Sequence, residues 1–135
     1  MKKRVVVFAL ILFLLITGCS NNKETKLSNI KNVSINISNV SSSGATILIK
    51  DTNKNPYKYE EWYEIEAKIN NKWVKVNPII KDYGFNLVKY NVNENNEVKF
   101  IIDWEWLYGK LEPGNYRLLK RVNNKYIGVE FNIEK

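Results

Sequence analysis

Asp103-Trp104-Glu105-Trp106-Leu107-Tyr108-Gly109-Lys110-Leu111-Glu112-Pro113-Gly114-Asn115-Tyr116-Arg117 is where the chain changes direction, and its residue types say how. Pro113-Gly114 is a turn pair, because the proline ring presets φ and glycine accepts backbone conformations closed to other residues. Upstream of the pair, Trp104, Leu107 and Leu111 carry enough apolar surface to plug one end of a core, with Asp103 or Glu105 placed to cap a short helical turn. Downstream, Asn115 to Val122 and then Tyr126 to Ile133 read as two strands. The stretch therefore carries the chain across an aromatic plug from one set of strands to the next.

Alternating patterns extend this reading towards the N-terminus. Glu97 to Ile102 and Phe85 to Val92 are further strands, parted by Asn93-Glu94-Asn95-Asn96. Trp62 to Asn70 is ambiguous: Trp62, Ile65 and Ile69 fit a helical stripe, while Tyr63, Ile65, Ala67 and Ile69 fit strict alternation, and the longer alternation favours a strand. Asn70-Asn71-Lys72 then leads as a hairpin into Trp73-Val74-Lys75-Val76. Ala45 to Asp51 follows the Ser41-Ser42-Ser43-Gly44 turn, and before it Val33, Ile35 and Ile37 alternate with Ser34, Asn36 and Ser38. Seven or eight short antiparallel strands, with turns about every 8 to 12 residues, predict an all-β sandwich or barrel.

The opening stretch also resembles the signature of a bacterial immunoglobulin-like domain family carried by small surface lipoproteins. The residues that carry the likeness are Asp103-Trp104, Leu107-Tyr108-Gly109, Leu111, Pro113-Gly114 and Tyr116-Arg117, and Glu61-Trp62-Tyr63-Glu64-Ile65-Glu66 and Lys72-Trp73 resemble its other marks. The resemblance covers about Ile30 to Lys135 and implies an immunoglobulin-like β-sandwich, with no catalytic residues to carry over. In such a fold Tyr116 takes the place of the tyrosine corner, its hydroxyl bonding upstream backbone so that the crossover is stapled. Tyr116, Trp104, Leu111, Pro113 and Gly114 are therefore the expected structural residues. No cysteine pair is present to bridge the sheets, so Trp62 or Trp73 is expected to supply the buried aromatic mass.

The N-terminus speaks to the compartment. Met1-Lys2-Lys3-Arg4 is a positive n-region, and Val5 to Ile16 is an unbroken apolar run of twelve residues, the length of a signal-peptide core. As a helix that run reaches only about 18 Å, short of the roughly 30 Å hydrocarbon layer. Leu15-Ile16-Thr17-Gly18-Cys19 resembles the bacterial lipobox, in which a cysteine thiolate accepts a diacylglyceryl group and small residues let the peptidase reach the bond before it. An ordinary secretory signal with an incidental cysteine is the alternative. The expected organisation is a lipoprotein signal peptide over residues 1–18, lipidated Cys19 with a flexible tether over 19–32, and the immunoglobulin-like domain over 33–135. Acyl chains on Cys19 would hold the exported protein at the cell membrane or cell surface.

Composition narrows the function classes. Loss of Lys2, Lys3 and Arg4 with residues 1–18 lowers 21 cations to 18 against 14 acids, so the formal charge falls from +7 to +4. Apart from Lys120-Arg121 the cations are scattered singly and read as a solvated surface, which argues against a nucleic-acid partner. There is no histidine, the side chain most used for proton transfer near neutral pH and for ligating transition metals. Asp51-Thr52-Asn53-Lys54-Asn55 begins like a calcium loop, but Pro56 stands where glycine is needed and Trp62 where a bidentate glutamate is needed, so it reads as a polar connection. Glu64 and Glu66 share a strand face and read as an exposed, salt-bridged surface rather than an acid and base pair. No catalytic, metal or cofactor residues are expected. The expected function is a non-enzymatic binding or interaction module for an envelope protein or a cell-wall glycan, with Trp73 and Trp106 as candidate ligand-binding rings. An inhibitor or immunity-type lipoprotein, working through Asp51 to Glu61 or Pro78 to Tyr83, is the first alternative and a cell-wall carbohydrate-binding module the second, with the ligand and the oligomeric state left open.

Overall fold

Apolar side chains at every second position drive the chain into strands, and the computed structural model, which describes residues 23–135, shows where each falls. The expected signal segment and Cys19 lie outside the described residues. The strands are β1 (Val33–Ser38), β2 (Gly44–Asp51), β3 (Tyr59–Glu60), β4 (Tyr63–Ile69), β5 (Lys72–Lys75), β6 (Lys89–Tyr90), β7 (Glu97–Asp103), β8 (Gly114–Val122) and β9 (Lys125–Ile133), with the single turn of helix α1 (Glu105–Tyr108) between β7 and β8. One sheet has the order β1-β2-β7, the other β5-β4-β8-β9, and β3 pairs with β6 as a short ribbon. Every pairing is antiparallel. This is the all-β sandwich that the alternation predicts, and its strand order is the immunoglobulin-like arrangement.

Register places the apolar sets face to face. Ile47 lies opposite Phe100, Ile65 opposite Leu118, and Tyr116 opposite Phe131, so the inner faces of both sheets meet in one core. Two hairpins turn on two residues each, Asn70-Asn71 and Asn123-Asn124, and all four have positive φ. Such turns match the right-handed twist of the flanking strands, and asparagine tolerates the left-handed conformation better than most side chains. Gly44 meets a different need. A Cβ there would lie 2.3 Å from the Ile102 carbonyl oxygen, so only glycine lets β2 start this close to β7.

The crossing from β7 to β8 closes one end of the sandwich. Trp104 is fully buried, its indole N–H donates to the Ser42 carbonyl at 2.8 Å, and its ring stacks on Phe131 at 5.3 Å. Asp103 Oδ1 accepts the Glu105 N–H at 2.9 Å, at the first residue of α1, while the N-cap residue is Trp104 and gives no side-chain cap. Leu107 and Leu111 are buried beside it. After Pro113-Gly114, the Tyr116 hydroxyl donates to the Glu112 carbonyl at 2.6 Å, and its ring stacks on Phe131.

Four expectations need correction. First, the buried aromatic mass comes from Trp104 and Tyr59, whereas Trp62 and Trp73 are half-buried on the outside. Second, Phe85 to Val92 is mostly irregular, and only Lys89–Tyr90 pairs, with β3. Third, the chain is not a free tether from Glu24 onward. Glu24 Oε1 accepts the Trp73 N–H at 2.9 Å, the Thr25 carbonyl accepts from Arg117 at 2.9 Å, and the Ser28 N–H donates to Tyr126 at 2.7 Å. Leu27 lies over Gly128, where a Cβ would come within 3.0 Å of it, and Ile30 joins the core. This strap crosses the outer face of the four-stranded sheet from β5 to β9. Fourth, the strap helps bury Glu66, which with its cross-strand neighbour Arg117 forms a buried ion pair instead of an exposed one.

Lys120 and Arg121, adjacent in sequence, part company. Arg121 points outward over the Trp62 ring, while Lys120 points between the sheets and is 1% exposed. Its amine donates to the Glu60 carbonyl and lies 3.8 Å from the centre of the Phe100 ring. Burial pulls its pKa down to about 7, against a partial restoring pull from Glu61 and Glu60.

Candidate functional site

The flank of the sandwich beside β7 differs from the rest of the surface. Among the described residues β7 is an edge strand, since it pairs there with β2 alone. Its inward residues Val98, Phe100 and Ile102 are buried, which strict alternation requires. Ile101 breaks the polar half of that alternation: it sits on the outer face between Lys99 and Asp103 and is 84% exposed. Alongside this edge lies a hollow of about 370 Å³. Tyr63 of β4, Phe85 of the long connection, Tyr90 of β6 and Trp106 of α1 line it together with the edge itself.

Edge-to-face contacts hold these rings. Phe85 lies 5.2 Å from Tyr63 and 6.2 Å from Trp106, while Tyr90 lies 5.8 Å from Phe100. Such contacts fix ring orientation and keep an apolar wall in place. Tyr90 donates its hydroxyl to Glu61 at 2.7 Å, and that bond raises the phenol's pKa. Burial raises the pKa of Tyr63 and of Tyr108 behind it, so both stay protonated. Glu61 is engaged by Tyr90, and Asp103 accepts the first N–H of α1. Among the described residues no group of three or more metal-ligating side chains occurs. The arrangement suits binding: a wall of aromatic rings with polar groups among them on one side, and on the other a backbone edge unpaired among the described residues.

Trp106 and Trp73 belong to different places. Trp106 is 44% exposed and lines this hollow. Trp73 lies on the outer face of the other sheet, in a hollow with Lys68, Asn115, Glu130 and Asn132. The Arg117 guanidinium sits 4.8 Å from the centre of its ring and the Lys68 amine 5.6 Å, so the ring serves the buried Glu66 and Arg117 assembly. Tyr116, Trp104, Leu111, Pro113 and Gly114 all gather at the closed end, away from the hollow's lining. Phe85, Tyr63 and Ile101 escaped sequence reasoning as site residues. Phe85 lies in irregular chain where a strand is expected, and the signal at Ile101 is an apolar residue on the polar side of an alternating run.

The connection from Asp51 to Tyr59 is organised from inside. The buried Asp51 carboxylate accepts the N–H of Asn53 at 3.0 Å and of Tyr57 at 2.8 Å, the Asn53 amide at 2.8 Å and the Tyr59 hydroxyl at 2.8 Å. Burial pushes this carboxyl up, but the bonds outweigh it and hold the pKa below the usual range. These bonds tie the segment to the domain. By contrast, Ile79 is 65% exposed between Pro78 and Tyr83.

Residues 20–132 match a family described as a bacterial Ig-like domain. The chain belongs to that family. The strand order agrees with it: β1, β2 and β7 take the places of Ig strands A, B and E, and β4, β8 and β9 those of C, F and G. The family match begins upstream of β1, and in this Ig-like domain the strap is packed against the sheet from Glu24. Neither curated proteins nor solved structures gave a match.

Proposed function

We propose that the chain is an exported lipoprotein whose Ig-like domain is a non-enzymatic module that binds protein at the envelope through the β7 flank. The observation that carries this reading is the aromatic hollow of Tyr63, Phe85 and Trp106 beside an unpaired strand edge with exposed Ile101. A polypeptide satisfies both halves at once, pairing its backbone with the edge and placing side chains against the rings. The other candidate ring for a glycan, Trp73, is engaged by Arg117 and Lys68 on the far sheet. Acylation at Cys19 after removal of residues 1–18 supplies the anchor. Only five residue steps part Cys19 from Glu24, a span of at most about 17 Å, so the domain is held close to the bilayer.

A photo-crosslinking side chain at position 106, compared with one at position 73, tests the binding face in producing cells. Protein adducts from position 106 and few from position 73 are expected. Loss of cell-wall glycan binding in Trp73→Ala, with no adducts from position 106, would refute the reading. The anchor is tested separately by the mass of Cys19→Ser, which should be that of an unacylated precursor; an acylated mature form of that variant would sink the assignment. Inhibition of an incoming hydrolase is the second reading, favoured by exposed Ile79 and Ile80 in the Pro78 to Tyr83 segment. It expects adducts from position 79 to a soluble enzyme.

A further inference from the structure

The β7 edge can be read residue by residue. Asp51 N–H donates to the Asn96 carbonyl and Trp104 N–H to the Ser43 carbonyl, both at 2.9 Å, so even-numbered positions bond towards β2. In an antiparallel ladder the alternate positions then turn their N–H and C=O groups away. Those positions are Glu97, Lys99, Ile101 and Asp103. The Glu97 carbonyl accepts the Asn93 N–H at 2.8 Å, and the Asp103 carbonyl is met by the Tyr63 hydroxyl at 3.4 Å. Between them the backbone groups of Lys99 and Ile101 have no partner among the described residues. A bare edge carrying an exposed isoleucine is the surface that folded proteins ordinarily disguise.

We propose that this edge pairs with β7 of a second copy of the chain, antiparallel, about a two-fold axis at Ile101. The inference rests on reading the flank as a protein-binding face, and charge selects both occupant and register. Centred on Ile101, the two isoleucines meet on the outer face, and each Lys99 falls opposite Asp103 of the second copy, giving an ion pair on either side. Centred on Lys99, two ammonium groups would oppose each other. With Lys99 opposite Ile101, Glu97 would oppose Asp103. Directly opposed like charges destabilise a strand pair and opposite charges stabilise it, so the Ile101-centred register is favoured among the three. It is isologous, as a closed dimer requires. Ile101 N–H and C=O bond their own counterparts, and those of Lys99 bond those of Asp103, whose carbonyl has a second lone pair for Tyr63.

One strand pair buries less than a standard protein interface, so the test uses the full chain in the cells that make it, under mild oxidation. Hydrogen-bonded opposite residues have Cα atoms about 5.5 Å apart, within disulfide reach. Ile101→Cys should therefore run as a covalent dimer on a non-reducing gel, above the background of the parent chain that already carries Cys19. Lys99→Cys alone should not, but together with a copy bearing Asp103→Cys it should give mixed dimers. On the Ile101→Cys background, Lys99→Glu should cut the dimer yield about tenfold, and adding Asp103→Lys should restore it. Equal dimer from Lys99→Cys alone, or none from Ile101→Cys, overturns the proposal. Adducts from position 101 to a different protein overturn it too, yet leave the binding-module reading standing. Dimer without protein adducts from position 106 leaves the pairing in place and removes the hollow from the interface.

Discussion

The outer face of β5-β4-β8-β9 and the free edge of β7 start from similar sequence and end differently. On the sheet face, Leu119 is fully buried and Glu66 and Arg117 nearly so, because residues from Glu24 to Ser28 are laid over them. On the edge, Ile101 is 84% exposed and nothing in the described chain reaches it. Both carry an apolar side chain on the solvent side of an alternating strand. The lesson is that burial of such a residue depends on a covering segment, not on the strand, and that a side chain left uncovered is available to another molecule.

Opening the covered face should have the largest effect. Arg117→Ala leaves the Glu66 carboxylate, in a residue 3% exposed, without its cation. Breaking a buried pair from one side costs about 3–5 kcal/mol, whereas replacing both partners by apolar residues is often neutral. In urea unfolding of the mature chain Arg117→Ala should lose that much, and Glu66→Leu with Arg117→Leu should recover most of it. A loss below about 1 kcal/mol would mean that the strap does not exclude water from the pair.

The interior next to the open flank offers a smaller, pH-dependent effect. Lys120, with its amine against Phe100, has a folded pKa of about 7, below the 10.5 of an unperturbed lysine. Between those values the unfolded chain holds a proton that the folded chain lacks, so stability rises with pH across that window; below about 7 both states are protonated and the full penalty remains. Tyr59, Tyr63 and Tyr108, whose folded pKa values are raised, oppose the trend only above their ordinary value near 10. From pH 7 to 9 unfolding free energy should therefore increase by about 2 kcal/mol, and Lys120→Met should flatten the profile. An unchanged profile in that variant would show that the amine is not the group that titrates.

Much of the fold was legible because alternation records which side of a strand is wet. β1 could be read to the residue, and β2, β7, β8 and β9 to within a residue or so at their ends. The hairpin at Asn70-Asn71 was legible too, and among the described residues seven asparagines hold positive φ, the conformation that glycine most readily adopts. Three things left weak traces. The strap contributes only Leu27 and Ile30 as large apolar groups, and its other ties run through backbone, which composition cannot reveal. Lys120 carries a charge in an inward register, so alternation and charge point opposite ways. Phe85 reaches the hollow from irregular chain, where no period assigns a direction.

The smallest expected effect is the one that bears most on function. Ile101→Ala should change unfolding free energy by no more than about 0.5 kcal/mol, as an uncovered surface position does. A loss above about 1 kcal/mol would show that Ile101 is packed within the single chain and would erase the contrast with Leu119. If the loss is small, the side chain contributes little to the fold that carries it, and its apolar surface gains free energy only when something else removes it from water. In producing cells the same substitution should then lower protein adducts from position 106 while the amount of folded chain stays level, which separates binding from stability in a way that no substitution beneath the strap could.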